Sequence, residues 1–489
     1  MGSAATRKNS MAGEAETPTQ APVSTEDAAP RLKSVAATVL SNPEEAAALV
    51  PRLRHMGPLY LTKFVSITVF RFSTIYAGDL SSSADITEDQ LLTILAIHEM
   101  MGVLLPLYGP VSDQLGHRRM FCSMLVLQGV ASALLALCKG HVAPMAVIYC
   151  IENFAWNAFA SSQQSALGLL LPPDRLQSIT GMMESAWPLA AIVGFPVMGA
   201  LVSKMSWEAL WLLLGALCVV LGALCAVTFV PTKRVEDLVR ESSATSESVL
   251  RQVFNNIKGM ATHPATVKCM FSSMLLGVTQ AFGFAMFNRW LDEVHHWDTD
   301  SRSLGTMTIG FGELVGAVGL SLIVKYFGLL RMAQLANLGI ILSSVLFALT
   351  YKNVVVGLIC YFFIMLTVEL GAVSFIAWGP SLEMARSPRA FGTCVASVFA
   401  TQALGRMIGI FLSPAIWEAK GMHKARGVFL VCAAFAALSL LNLVTLRVRP
   451  VEEAAEGEST STDIEMDVGV QQHEQVAGAL LDSDERTVD

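Results

Sequence analysis

Eight ionisable residues lie deep inside long apolar stretches of this chain: Arg71, His98, Glu99, Glu152, Glu184, Glu313, Glu369 and Arg406. At the centre of a membrane helix such a group costs roughly 2.5–3.5 kcal/mol on insertion scales, so its presence points to a task. An acid without a counter-charge in apolar surroundings favours its protonated form and can take up and release a proton. An acid facing an arginine stays ionised until something separates the two. The chemistry on offer is therefore proton exchange and the binding of a charged or polar solute. At 1.5 Å rise per residue, depth along each helix places Arg71 level with Glu152 as a pair, with Glu369 facing them. Glu313 and Arg406 form a second expected pair. Glu99 and Glu184 find no cation at their depth, and Glu99 beside His98 reads as a proton carrier. Lys63 and Arg289 lie nearer helix ends, where long side chains snorkel to the interface. Each glutamate also has a plainer reading as interhelical hydrogen-bond glue. Trp156, Asn157, Gln163, Gln164, Gln280 and Trp378 are candidates to line a solute site, although aromatic residues in such helices are often packing.

The elements that must position these groups follow from composition. Of 489 residues, 53% are hydrophobic and only 15% charged, against about a quarter charged in soluble domains. The net charge of −7 comes largely from the tails and carries no nucleic-acid signal. A membrane helix needs about 20 mostly apolar residues. Cutting at charges, Pro and Gly gives spans at 57–77, 90–110, 120–138, 144–170, 177–203 and 207–230. A second set follows at 266–291, 304–326, 332–350, 353–380, 390–415 and 424–446, making twelve. Five parts result: an N-terminal tail 1–50, a six-helix bundle 51–230, a linker 231–265, a second bundle 266–446 and an acidic tail 447–489. The tails read as disordered. Residues 1–50 contain no apolar core of a signal peptide. Lys and Arg favour the loops on the N-terminal side, from Arg52 and Arg54 to Arg447 and Arg449, which places both termini in the cytoplasm. In the linker, Val249, Val253, Ile257 and Met260 recur at helical spacing and predict a short amphipathic helix at the membrane face. The nine cysteines form no C-x-x-C pair and read as small apolar packing residues, with no disulfide framework and no metal site. No phosphate-cradling G-x-x-x-x-G-K-S/T occurs, so ATP-driven transport is unsupported, and no cofactor or enzyme activity is expected.

Between the second and third spans the chain reads "YGPVSDQLGHRRM", and between the eighth and ninth "SLIVKYFGLLRM". At an offset of 212, Gly116 falls on Gly328, Arg119 on Arg331 and Met120 on Met332, with Lys325 where the first copy has Asp113. One punctuation pattern in two halves implies a duplicated six-helix unit. The G-x-x-x-D-x-x-G-x-R-R arrangement of Gly109, Asp113, Gly116, Arg118 and Arg119 resembles the signature loop of the major facilitator superfamily. "LLLPPDRLQSITGMMESAWPLAAIVGFPVMGALV", "GFGELVGAVGL" and "VELGAVSFIAWGPSLEMARSPRAFGT" are similar to prokaryotic drug- and sugar-efflux-type members. Drug:proton antiporters of that kind carry an arginine in the fourth span, where this chain has Glu152.

The resemblance implies an all-helical fold of two pseudo-repeats. Spans 1, 4, 7 and 10 would line a central cavity, and spans 2, 5, 8 and 11 would join the halves. Asp113 would pair with Arg119 and face the start of the eleventh span near Ala390–Gly392, a latch that releases when the halves rock. The implied activity is secondary transport of a small organic solute by alternating access, with proton-coupled export or exchange, by a monomer in a lipid bilayer. A mixed apolar and charged set of residues suits an amphiphilic or charged solute better than a sugar. A facilitative uniporter and a non-transporting receptor or scaffold fit the same residues. The solute, its direction and its membrane are left open.

Overall fold

The computed structural model describes residues 53–170, 182–228, 249–384, 391–418 and 424–446. The two tails, the first part of the linker and the Ala390–Gly392 latch partner's loop, 385–390, lie outside the described residues. So do the side chains of Gly109, Asp113, Gln164 and Lys325.

The described residues are helical throughout, with no strand among them. Leu53–Ile75 is the first span, followed by a short helix Ala77–Ser83. The second span is continuous from Glu88–Glu99 through a 3-10 segment Met100–Leu104 to Leu105–Leu115. The third is His117–Leu135 with Ala136–Cys138, and the fourth Val142–Leu170. The fifth runs through Ala186–Leu189, a π-turn Ala190–Gly194 and Phe195–Val202, and the sixth is Trp207–Thr228. The seventh is Pro264–His295. The eighth and ninth share the stretch Met307–Thr350, broken at Gly328, after a short helix Thr299–Gly305. Val354–Met384, Phe391–Trp417 and Lys424–Val444 complete the order.

Ten of these helices are long and apolar enough to cross a membrane. Leu53–Ile75 and Val142–Leu170 are not among the ten, and they carry the densest buried polar groups: Lys63 and Arg71 in one, Glu152, Asn153 and Asn157 in the other. Buried polar side chains lower the mean hydropathy of these two helices.

The repeat seen in the sequence is present in the backbone. Gly116 has φ 86° and Gly328 φ 70°, and each ends one helix and starts the next. A Cβ at either glycine would meet nothing within 4 Å, so the left-handed turn itself requires glycine there.

Helices approach closely where small residues face each other, since lipid supplies no hydrophobic drive between them. In the first half a Cβ on Gly129 would lie 2.6 Å from the Gly215 carbonyl oxygen. Between the halves, a Cβ on Gly102 of the second span would lie 2.5 Å from Cβ of Ala403 in the eleventh. One on Gly310 of the eighth would lie 2.7 Å from the Ile192 nitrogen in the fifth. Gly102 sits in the 3-10 segment and Ile192 in the π-turn, so both irregular stretches mark crossings between the halves.

The predicted amphipathic helix is present as Val249–Ala261. Val253 and Met260 are buried, and the helix packs on the ends of the second, seventh and eleventh spans. Ile257, expected on the same face, is 41% exposed.

Candidate transport site

Arg71 projects from the first span one turn short of its C-terminal end. Its Nη2 donates to Glu313 Oε1 at 2.6 Å and its Nη1 to Oε2 at 3.3 Å, a two-armed ion pair between the halves. Both side chains are buried. The guanidinium also lies over three aromatic rings, with centroid distances of 4.1 Å to Phe284, 4.9 Å to Trp187 and 5.7 Å to Phe195. A planar, delocalised cation can pair with a carboxylate through two nitrogens and pack against aromatic rings at the same time. The expected Arg71–Glu152 and Glu313–Arg406 pairs are corrected by this arrangement. Equal depth says nothing about which way a side chain leaves its helix.

Glu152 instead belongs to a network inside the first half. His98 Nε2 lies 3.1 Å from Glu152 Oε2, and Gln128 Nε2 donates to Oε1 at 2.6 Å. Ser66 donates to Gln128 Oε1, and Asn153 Nδ2 donates to the His98 carbonyl oxygen at 2.6 Å. The Phe70 ring stacks between His98 and Trp156, at 5.4 and 5.3 Å. Spans 1 to 4 are thus tied together by a satisfied polar core, which low dielectric makes stiff.

Glu99, the next residue after His98, points elsewhere. Arg406 Nε donates to its Oε2 at 3.0 Å, joining the second and eleventh spans. Consecutive residues on a helix diverge by about 100°, so the expected His98–Glu99 proton carrier is replaced by two separate pairs. Glu184 also has a cation: Lys63 Nζ donates to its Oε1 at 2.7 Å. Lys63 is buried with this partner instead of snorkelling, and Arg289 is mostly covered by Glu293, Glu88 and the Trp417 ring.

Glu369 stands apart. Among the described residues no ion pair is recorded for it, and the charges acting on it are those of Glu313, Arg71 and Glu184, two acids and one base. Close packing of the eighth and tenth spans brings it there: a Cβ on Gly316, one turn from Glu313, would lie 3.1 Å from Glu369 Cβ. With Arg71 matched to Glu313 and Lys63 to Glu184, Glu369 is the surplus acid of the central group.

The remaining candidates divide. Trp156 is buried edge-on to Trp187 at 5.8 Å, and Trp378 is buried in the tenth span. Asn157 donates to the Asn153 carbonyl oxygen at 2.9 Å, so its amide serves its own helix. Gln163 donates to the Leu59 carbonyl oxygen at 3.0 Å. Gln280 is half-buried on the seventh span, two turns from Asn288. Arg118 donates to the Ala226 carbonyl oxygen and so ties the third span to the sixth, while Arg119 is exposed. An apolar cleft of about 350 Å³ between the second and fourth spans, lined by Ile97, Met101, Val147 and Phe154, is separate from all the ion pairs.

A second cluster was not singled out from the sequence. It lies at the bundle end opposite Gly116 and Gly328. Asp79 Oδ1 accepts from Arg302 Nη2 at 2.9 Å and from Thr299 at 2.8 Å. Arg302 Nη1 lies 3.5 Å from Asp292. Ser203 donates to Asp300 at 3.0 Å, and Ser303 and Tyr76 crowd Gly199. Arg289 Nε donates to Glu293 at 2.8 Å and lies 3.8 Å from Glu88. These contacts join residues before 210 to residues after 285 and shut that end. The available signal was Arg302 itself, a cation in a loop on the side that carries few.

A helical bundle in two halves, crossed by buried ion pairs and joined at one end by a charge cluster, fits a membrane transporter. The family model of the Major Facilitator Superfamily matches residues 59–386, and the chain belongs to that superfamily. An MFS-type transporter of Aspergillus fumigatus is 25% identical over 184 residues, which span 35% of this chain and 41% of that relative. The fold is similar to a point variant of the nucleoside transporter NupG, with TM-score 0.65 and 14% identity over 80% of this chain and 99% of that one. It is also similar to the xylose transporter XylE from E. coli, with TM-score 0.60 and 14% identity over 81% and 98%.

Proposed function

We propose that the chain is a proton-coupled secondary transporter that exports or exchanges a small organic solute by alternating access. In this reading all twelve helices span the membrane, both termini are cytoplasmic and the charge cluster around Asp79 closes the outer side. Export over uptake is the direction expected from the sequence motifs alone. The observation that carries the reading is the surplus acid Glu369 beside the Arg71–Glu313 pair. Glu369 is half-buried with no ion-pair partner among the described residues, which makes it the candidate proton site of this reading, and a solute that disturbs Arg71 changes the charge beside it. Glu99, Glu152 and Glu313 are each occupied by Arg406, His98 and Arg71 and serve position rather than proton transfer.

The test starts with a thermal-shift screen of a metabolite library, since a ligand that binds the folded state stabilises it. Flux of the hit is then followed in proteoliposomes. With one proton per solute, each pH unit of gradient is worth about 1.4 kcal/mol, a tenfold accumulation. Glu369→Gln keeps counterflow of labelled solute and loses this accumulation. If accumulation persists in Glu369→Gln, the coupling assignment fails; a flux indifferent to pH makes the protein a uniporter. The absence of any saturable flux leaves a receptor or scaffold.

A further inference from the structure

The helix Val249–Ala261 presents three differently directed faces. Val253 and Met260, 3% and 2% exposed, point into the bundle, and Asn256 Nδ2 donates to Thr393 Oγ1 at 3.0 Å on the eleventh span. Turning about 100° per residue brings Ile257 and Phe254 onto the adjoining edge, where they are 41% and 67% exposed. A further turn of roughly 40–60° reaches Arg251 and Lys258, both exposed. Residues 249–263 contain no acid, although the whole chain carries a net charge of −7. Only Thr262 and His263 separate this helix from Pro264, the first residue of the seventh span. The exposed apolar edge therefore lies about two to three turns along the chain from the start of the seventh span. An exposed Phe and Ile beside two cations, held at the membrane surface, match the composition of an interfacial helix.

We propose that this helix is a lipid-docking wedge whose partner is anionic phospholipid of the adjoining leaflet. Phe254 and Ile257 enter the boundary between headgroups and acyl chains, and the positive charge of Lys258 and Arg251 attracts the anionic headgroups. The bundle supplies the third contact. Because the same helix packs on the second span of one half and the seventh and eleventh of the other, leaflet charge bears on how firmly the halves are held together at this end.

The experiment uses the full chain in nanodiscs and reads amide hydrogen exchange of 249–261, so it does not depend on the transport reading. In phosphatidylcholine mixed with phosphatidylglycerol, exchange is expected to be on the order of tenfold slower than in phosphatidylcholine alone, the effect of two basic side chains at an anionic surface. Arg251→Glu with Lys258→Glu abolishes the difference, and Phe254→Ser reduces it, while exchange in the seventh span stays as in the wild type. Equal exchange in the two bilayers, or a difference that survives the double charge reversal, overturns the proposal. Slowing by soluble glycerophosphate in phosphatidylcholine nanodiscs also overturns it, since the helix would then hold a free phosphate and not a membrane.

Discussion

Glu313→Gln removes the charge that holds Arg71 across the halves. In the proposed orientation Arg71 lies near the outer end of its helix, and the pair bridges the two halves, so outer opening would part it. Removing one partner of a buried ion pair costs about 3–5 kcal/mol, because the other charge is left uncompensated. Here the guanidinium keeps its aromatic faces, the nearest centroid at 4.1 Å, and a desolvated cation–π contact retains about 2 kcal/mol. The closed state should lose about 1–3 kcal/mol, a shift of roughly 5- to 150-fold toward outer opening. Cysteines introduced at Ser82 and Leu304, both exposed on the outer side, take spin labels, while eight of the nine native thiols are buried. Electron–electron distance distributions in nanodiscs should gain a longer component in Glu313→Gln. Arg71→Gln combined with Glu313→Gln should return most of the way to the wild-type distribution, because no lone charge remains. A distribution unchanged in the single variant, or a double variant as open as the sum of the singles, refutes the assignment of this pair to outer closure.

Asp79→Asn should weaken the outer cluster by about 1–2 kcal/mol, since Arg302 loses a partly buried charge partner; maleimide labelling of a cysteine placed at the buried Ser303 should quicken about tenfold, and an unchanged rate would place closure elsewhere. Gly116→Ala and Gly328→Ala should each cost roughly 1–2 kcal/mol through backbone strain alone, because no neighbour crowds the added methyl. Thermal unfolding in nanodiscs should place both variants below the wild type, and an unchanged midpoint would show that these turns carry no strain for alanine. The Glu369→Gln and Arg251/Lys258 experiments complete the set.

Single residues allowed the fold and the repeat to be read before any coordinates. Long apolar runs can be satisfied only by helices in lipid, because every backbone amide must find its partner within the chain. The glycines at 116 and 328 mark the duplicated unit at an offset of 212, and both have positive φ, a conformation few other residues adopt. The amphipathic helix was visible in the period of Val253 and Met260 for the same local reason. Which residues carry charge inside the membrane was equally plain, since each such residue interrupts an apolar run.

Their partners were decided by tertiary structure. Depth along a helix supplies one coordinate; azimuth and the order of neighbouring helices supply the others, and those depend on how the bundle packs. Arg71 shares a level with Glu152, yet the first span turns it toward Phe284 and Glu313. His98 and Glu99 are adjacent in the chain and serve different halves, because a helix sends successive side chains in diverging directions. The outer cluster of Asp79, Thr299 and Arg302 joins residues more than two hundred positions apart, a distance over which local sequence holds no information about approach. Glu369 stood in the sequence as one buried acid among several, and it became the surplus one only when packing had assigned the neighbouring cations to other acids.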